Sequence, residues 1–185
     1  MRIIAGTHKN RTIQEPRLKP HERMTEMARE ALFNIVGAAV VGVRFADLFA
    51  GSGIVGIEAL SRGAAQVTFV ERKRPFVKQL RNNLAHLSIG ADQARVWEND
   101  TFLLPESDNI WAQWDMVFLD PPLQMKDDFL DILVRREILR PHQLIIVHRP
   151  IDRAGQLKWS ELELLDQRSY GKSALFFYSV STVSC

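Results

Sequence analysis

Residues 45–71 contain the strongest pattern in this 185-residue chain. An apolar run near residue 47 is followed by three glycines, Gly51, Gly53 and Gly56, then by an apolar helical stretch and a second apolar run that ends on Glu71. This order predicts a strand, a glycine turn, a helix and a second strand. The glycines let the backbone approach a ligand, and the free N–H groups at the start of the helix point towards it. The segment therefore predicts a nucleotide-like ligand at the first turn.

The charges beside this turn bear on which ligand it holds. The glycine spacing fits the dinucleotide fingerprint G-x-G-x-x-G. Asp47, just before the glycines, would repel a pyrophosphate but attract a cation. S-adenosylmethionine carries a sulfonium and an ammonium, and Glu71 suits ribose hydroxyls because a carboxylate accepts from both. These residues favour S-adenosylmethionine over a nicotinamide dinucleotide; in the alternative interpretation the glycines only form a tight turn and Asp47 caps the helix.

The rest of the chain alternates strand and helix patterns, as α/β proteins do. In the first helix Met27 and Ile35 belong to the expected apolar stripe, and Arg29 to the solvated face. Strands are predicted at residues 43–47, 66–71, 94–98, 115–119, 144–148, 162–169 and 174–180, and helices at 26–36, 53–62, 74–88 and 126–139. No helix pattern separates the last two strands, which predicts an antiparallel hairpin. We expect a single domain over residues 1–185 with a Rossmann-like, seven-stranded, mostly parallel sheet.

Composition and charge limit the setting of the protein. Hydrophobic residues make up 46% of the chain and charged ones 25%, as in ordinary globular proteins. Cys185 is the single cysteine, so we expect no intramolecular disulfide and a cytoplasmic location. Residues 1–23 hold six Lys or Arg and two acidic residues, a net charge of +4, and predict a small basic hairpin with Lys9 and Arg11 at its tip. This arm either contacts phosphates or is a solvated leader.

Four carboxylates follow four successive predicted strands. They are Asp47, Glu71, Asp100 and Asp120. Open α/β sheets bind ligands outside the carboxyl ends of their strands, so we expect these side chains to share one site. Asp100 is expected either to accept from an adenine amino group or to cap a short helix that begins at Thr101.

The segment Asp120-Pro121-Pro122-Leu123 is the sharpest motif. Its two prolines remove N–H donors and fix the backbone, which leaves carbonyl groups and the Asp120 carboxylate as acceptors in a rigid turn. Such a turn suits an exocyclic amine, whose two hydrogens need acceptors and whose nitrogen must be aligned with the methyl donor. The alternative is a Pro-Pro turn that merely ends a strand.

This segment resembles the [DNS]-P-P-[YF] signature of amino methyltransferases. Together with residues 1–6, 29–35, 47–53 and 58–64, it makes the chain similar to the RsmD family of bacterial guanine-N2 methyltransferases of 16S ribosomal RNA, nearly from end to end. The resemblance implies a class I methyltransferase with S-adenosylmethionine as cofactor and 16S RNA or an assembling 30S subunit as partner. It implies cofactor contacts from Asp47, Phe49, Ala50, Gly51, Ser52, Gly53, Glu71, Arg72, Asp100 and Thr101, and a catalytic segment formed by Asp120, Pro121, Pro122 and Leu123. We expect RNA contacts from Arg2, Lys9, Arg11 and Arg23.

Two positions depart from the family pattern. Leu123 stands where the family usually has an aromatic residue that can stack on a flipped base. Arg23 and Thr25 match an Arg-Pro-Thr run only in approximate register. Methylation of adenine N6 or of a protein glutamine, a non-catalytic RNA-binding factor and an NAD-linked oxidoreductase are the alternatives. The five histidines show no metal-ligand spacing, so we expect no metal, and we expect a monomer. His148, after the fifth strand, is expected either to touch substrate or to be structural.

Overall fold

The computed structural model describes residues 1–15, 24–105, 110–125, 128–151 and 162–180. Within these ranges seven strands form one sheet in the order β3-β2-β1-β4-β5-β7-β6. The strands are β1 Arg44–Leu48, β2 Gln66–Glu71, β3 Ala94–Glu98, β4 Met116–Leu119, β5 Leu144–Pro150, β6 Leu162–Tyr170 and β7 Ser173–Val180. The first five strands are parallel, and β7 pairs antiparallel with both β5 and β6. The predicted sheet and its closing hairpin are therefore confirmed.

Helices cover both faces of the sheet. They are α1 Glu26–Val36, α2 Ile54–Ser61, α3 Arg74–His86 and α4 Phe129–Arg135, with 3-10 turns at Gly37–Val40, Thr101–Leu103 and Ile110–Gln113. One apolar core joins α1, α2 and α3 to side chains such as Phe45 and Phe69, and a second joins α4 to Leu48 and Val70. Because successive side chains of a strand point to opposite faces, these two cores lie on the two sides of one sheet. No described helix is long and apolar enough to cross a membrane.

Helix α1 begins as predicted but presents a different face to the core. The Thr25 hydroxyl caps the helix by accepting from the Ala28 N–H at 3.1 Å. Met27 is 56% exposed and Ile35 40%, whereas Arg29 is 0% exposed. The expectation that Arg29 is solvated is wrong, because a carboxylate on α2 lies within reach of its guanidinium and stabilises the charge inside the core.

The N-terminal hairpin is confirmed over residues 1–13. Arg2 and Thr12 form an antiparallel bridge, and Ile3 N–H donates to the Arg11 carbonyl at 2.9 Å. The hairpin is held against α2 because Glu58 accepts from the N–H groups of residues 4 and 5 at 2.8 and 3.0 Å. Arg17, Lys19, Arg23 and Cys185 lie outside the described residues.

Helix α4 is shorter than predicted. It ends at Arg135 rather than near 139, and residues 126–127 lie outside the described ranges. The chain reverses at Glu137, which has a positive φ of 53°. The N–H of Ile138 then donates to the Leu133 carbonyl, a closing pattern that ends a helix while its apolar residues stay buried.

Candidate functional site

A cavity of ≈ 950 Å³ opens at the carboxyl ends of the central strands. All four predicted carboxylates, Asp47, Glu71, Asp100 and Asp120, line it, and so does His148. The parallel pairing of β1 with β2 and β4, and of β2 with β3, brings these strand ends to the same edge of the sheet. A cavity of this size is at the upper end of the range for ligand pockets, about 300–1,000 Å³, and has room for a nucleoside cofactor together with a second ring.

The glycine turn lets α2 and the sheet approach each other closely. Gly53 has a φ of +80°, and a Cβ atom there would lie 2.2 Å from Cδ1 of Leu80. A Cβ atom at Gly56 would lie 2.4 Å from the Phe69 ring. A Cβ atom at Gly51 would meet only Phe76, at 3.8 Å, so the backbone stays accessible there. Glycine at these positions therefore brings helix and turn against β2 while Gly51 stays open to a ligand.

Asp47 is buried beneath this turn. Its side chain accepts a hydrogen bond from the Gly56 N–H at 2.9 Å, which caps α2 from the neighbouring strand. Burial raises the pKa of Asp47 well above its ordinary value, and the charges of Asp120 and Glu71 raise it further, against the lowering effect of the Gly56 hydrogen bond. Asp47 therefore caps α2, the role that the sequence analysis gave as the alternative interpretation. Because Asp47 also lines the cavity, contact with a cationic cofactor stays a prediction.

Glu71 and Asp100 are both held in fixed positions. Glu71 accepts from the Gly51 N–H at 2.9 Å and from the Lys73 N–H at 2.8 Å. Asp100 caps the turn at Thr101–Leu103 by accepting from the Phe102 N–H at 3.0 Å. Arg72, which is predicted to bind the cofactor, forms an ion pair with Asp100 at 3.1 Å. These bonds orient the two carboxylates, and the remaining oxygen lone pairs are available to a ligand.

The remaining predicted cofactor residues lie together on the same cavity wall. They are Phe49, Ala50, Gly51, Ser52 and Thr101. Phe49 has a positive φ of 65°, unusual for an aromatic residue, and its ring lies 6.0 Å from that of Phe102. Gly53 does not line the cavity. Its lack of a side chain lets the turn pack closely against Leu80.

The Asp120–Leu123 segment also lines the cavity and is held by the end of β5. Nδ1 of His148 lies 2.8 Å from Oδ1 of Asp120. Arg149, which is buried, donates to the Pro122 carbonyl at 3.3 Å and to the Met125 carbonyl at 2.9 Å. No hydrogen bond from the described residues reaches the Pro121 carbonyl. The segment thus presents one side-chain and one backbone acceptor to the cavity.

Arg149 is a residue that the sequence interpretation missed. The available signal was the adjacency of strands four and five: in a parallel sheet, residues that follow one strand face the loop that follows its neighbour. The register Leu119↔Val147 places His148 and Arg149 beside Asp120 and the prolines.

Of the predicted RNA-contacting residues, Arg2, Lys9 and Arg11 do not line the cavity, and Arg23 lies outside the described residues. Arg2 forms an exposed ion pair with Glu26 at 3.5 Å, and Arg11 donates to the His86 and Leu87 carbonyls at the end of α3. Lys9 is in the hairpin turn, as predicted. Arg11 is not at the tip, because its guanidinium contacts the C-terminal end of a helix, where cations are favoured.

The charges of the carboxylates in the cavity can be compared with the charge of the predicted cofactor. Three acidic side chains, Asp47, Glu71 and Asp120, lie close enough for their charges to affect one another. A cationic ligand relieves that repulsion, and a pyrophosphate adds to it. The residues present therefore fit S-adenosylmethionine; Glu71 and Asp100 would lie at its nucleoside end, and Asp47 and Asp120 would lie towards its sulfonium.

Comparison with known proteins gives one consistent family. A family model described as "Conserved hypothetical protein 95" matches residues 1–179. The chain is 33% identical over 156 residues to "Ribosomal RNA small subunit methyltransferase D" of Escherichia coli strain K12, covering 82% of this chain and 76% of that protein. It is 30% identical over 183 residues to "Putative rRNA methyltransferase YlbH" of Bacillus subtilis, covering 96% and 98%. The solved structure "Putative methyltransferase yhhF from Escherichia coli" superposes with a TM-score of 0.80 at 30% identity, covering 99% of both chains.

Proposed function

The chain belongs to the family described as "Conserved hypothetical protein 95", the RsmD family of S-adenosylmethionine-dependent methyltransferases, and we propose that it methylates the exocyclic N2 of a guanine in 16S ribosomal RNA. One observation carries the proposal: the glycine turn and the Asp120–Pro121 turn line one cavity. This shared lining supports a cofactor site and an amine site close enough for a direct transfer.

The Asp120–Pro121 turn acts by alignment. Oδ2 of Asp120 and the Pro121 carbonyl accept the two hydrogens of the amine, which directs the nitrogen lone pair into the cavity. When bound, the cofactor supplies an electrophilic methyl group. Asp120 and the Pro121 carbonyl would hold the nitrogen lone pair towards that methyl group for transfer, with the sulfur of the cofactor as leaving group. The nitrogen is then cationic, and Oδ2 of Asp120 is placed to take the released proton.

The substrate assignment rests on the relatives and on the basic arm. The relatives named above are ribosomal RNA methyltransferases, and two of the cations proposed to contact RNA, Lys9 and Arg11, lie on the folded N-terminal hairpin. Arg2 is on the same hairpin, and Arg23 follows it in the chain. We propose that this arm contacts RNA phosphates in an assembling 30S subunit, that the enzyme acts as a monomer, and that it works in the cytoplasm, where ribosomes assemble.

Methyl transfer from radiolabelled cofactor tests the proposal. We expect label in 16S RNA, offered as naked RNA or as 30S subunits, and none in naked DNA or in a release factor. Asp120→Ala should reduce kcat about 100-fold or more, the scale of a misaligned reacting group. Asp115→Ala is a matched control, because Asp115 lies at the opposite end of β4 and pairs with Arg44. Label in DNA alone would refute the RNA substrate.

A further inference from the structure

His148 lies where β5 ends beside the catalytic turn. The parallel register of β4 and β5 pairs Leu119 with Val147, so the next residue on each strand is Asp120 and His148. The His148 side chain is 9% exposed and that of Asp120 is 29% exposed. The His148 side of the pair is therefore buried, and the Asp120 side is partly exposed to the cavity.

Nδ1 of His148 is the donor in this pair. Nε2 is buried and has no hydrogen-bond partner among the described residues, so a tautomer with its only hydrogen on Nε2 would bury an unsatisfied N–H. The neutral Nδ1–H tautomer avoids this, and the imidazolium also carries a hydrogen on Nδ1. In both states the hydrogen bond at 2.8 Å runs from Nδ1 to Oδ1 of Asp120.

The charge of Asp120 acts on the pKa of His148. Burial lowers the pKa of His148, but the charge of Asp120 and its hydrogen bond outweigh this effect, so the pKa of His148 is raised from its ordinary value. Arg149, on the same strand, opposes the rise. Leu175, the residue that pairs with His148 from β7, carries no charge.

The hydrogen bond occupies one oxygen of Asp120 and leaves the other available. Oδ2 receives no hydrogen bond from the described residues. A hydrogen bond to Oδ1 restrains rotation of the carboxylate about χ2 and so favours one direction for Oδ2. We propose, resting on the function given above, that His148 is a positioning residue that aims Oδ2 of Asp120 at the substrate amine.

Arg149 and His148 hold different parts of the catalytic turn. Arg149 holds the backbone of the turn through the Pro122 and Met125 carbonyls, whereas His148 holds the Asp120 side chain. Loss of His148 should therefore leave the turn in place and misdirect only the carboxylate. The expected signature is a lower kcat with little change in KM for RNA, because the interaction matters most when the amine is aligned.

Two substitutions separate positioning from packing. His148→Leu fills the space without a donor, and His148→Asn offers an amide N–H close to the place of Nδ1. We expect His148→Leu to reduce kcat about 10- to 100-fold, the range seen when an orienting hydrogen bond is lost. His148→Asn should recover activity to within a few-fold of wild type. Equal kcat for His148→Leu and wild type, or an Asn variant no better than the Leu variant, would overturn the proposal.

Two measurements independent of turnover complete the test. Nitrogen-detected NMR titration of the ligand-free protein should show Nδ1 protonated and His148 titrating above its ordinary value, with a lower pKa in Asp120→Asn. A titration that Asp120→Asn leaves unchanged would also overturn the proposal. Adenosylhomocysteine calorimetry should give equal affinity for wild type and His148→Leu, which shows that the variant is folded. If wild type leaves RNA unlabelled, the proposed function fails, and the NMR titration still decides whether His148 holds Asp120.

Discussion

Glu58 joins the N-terminal hairpin to the helix that begins at the cofactor turn. Its buried carboxylate accepts from the N–H groups of Ile4 and Ala5 and from Nε of Arg62 at 2.8 Å. Nε of Arg29, a fully buried side chain, lies 3.7 Å away. We predict that Glu58→Gln, which preserves shape and removes the charge, strongly destabilises the fold.

The magnitude follows from what the substitution leaves behind. A glutamine amide keeps one acceptor but turns an NH₂ group towards one of the donors, so at least one charge-assisted hydrogen bond, about 1.5–3 kcal/mol, is lost. Arg29 loses the carboxylate that offsets its burial, and removing one partner of a buried ion pair costs about 3–5 kcal/mol. Because these losses overlap, we expect the free energy of unfolding to fall by about 3–5 kcal/mol in total.

Urea denaturation followed by circular dichroism measures this difference. Glu26→Gln is the matched control, since it makes the same chemical change in an exposed ion pair with Arg2 and should cost less than about 1 kcal/mol. The double variant Glu58→Gln, Arg29→Met should recover part of the loss, because the uncompensated cation is gone. If Glu58→Gln were no more destabilising than Glu26→Gln, the buried pair would not anchor the hairpin.

Two further predictions concern the cavity. Leu123→Phe should lower KM for RNA by about 5- to 150-fold, because an aromatic face adds on the order of 1–3 kcal/mol of base stacking; a KM equal to that of Leu123→Met, which adds no ring, would refute stacking at this position. Asp47→Asn should gain stability relative to wild type as pH rises from 4 to 8, measured by urea denaturation. The sign follows because the pKa of Asp47 is raised in the folded state, so the folded protein binds the extra proton and wild type loses stability as that proton leaves. If the free energy of unfolding of wild type instead rose relative to that of Asp47→Asn as pH increases, the prediction would be wrong.

Strand positions and strand-end chemistry could be predicted from the sequence because both depend on local patterns. Apolar runs at residues 66–71 and 115–119 identify buried strands, and the parallel arrangement then places Glu71 and Asp120 at one edge. The Pro-Pro turn is similarly local, since proline fixes the backbone wherever it occurs. The family resemblance added the substrate class, which no pattern of residues supplies alone.

The contacts of Arg29 could not be predicted, because they depend on a partner 29 positions away. A cation in a helical pattern is expected on the solvated side, and its burial is favourable here because it pairs with Glu58 on α2 and donates to the Arg2 carbonyl. Because Arg29 lies on the buried side of α1, Met27 lies on its exposed side. The contacts of Arg149 could not be predicted for a similar reason. Its guanidinium donates to backbone carbonyl groups of another loop, and since every residue has a carbonyl group, the sequence does not indicate which ones are bound.

The acidic strand ends explain why this glycine turn suits a cation despite its dinucleotide spacing. The pKa of Asp47 is raised by burial and further by Asp120 and Glu71, so the ligand-free site carries unfavourable repulsion on top of the cost of desolvation. A pyrophosphate placed at the turn would add to this repulsion in a partly closed cavity, where charges are poorly screened. A sulfonium bound near Asp47 and Asp120 would reverse the sign of the interaction. We therefore expect discrimination between the two cofactor classes to come from the carboxylates around the glycines, whereas the glycines themselves provide only close approach.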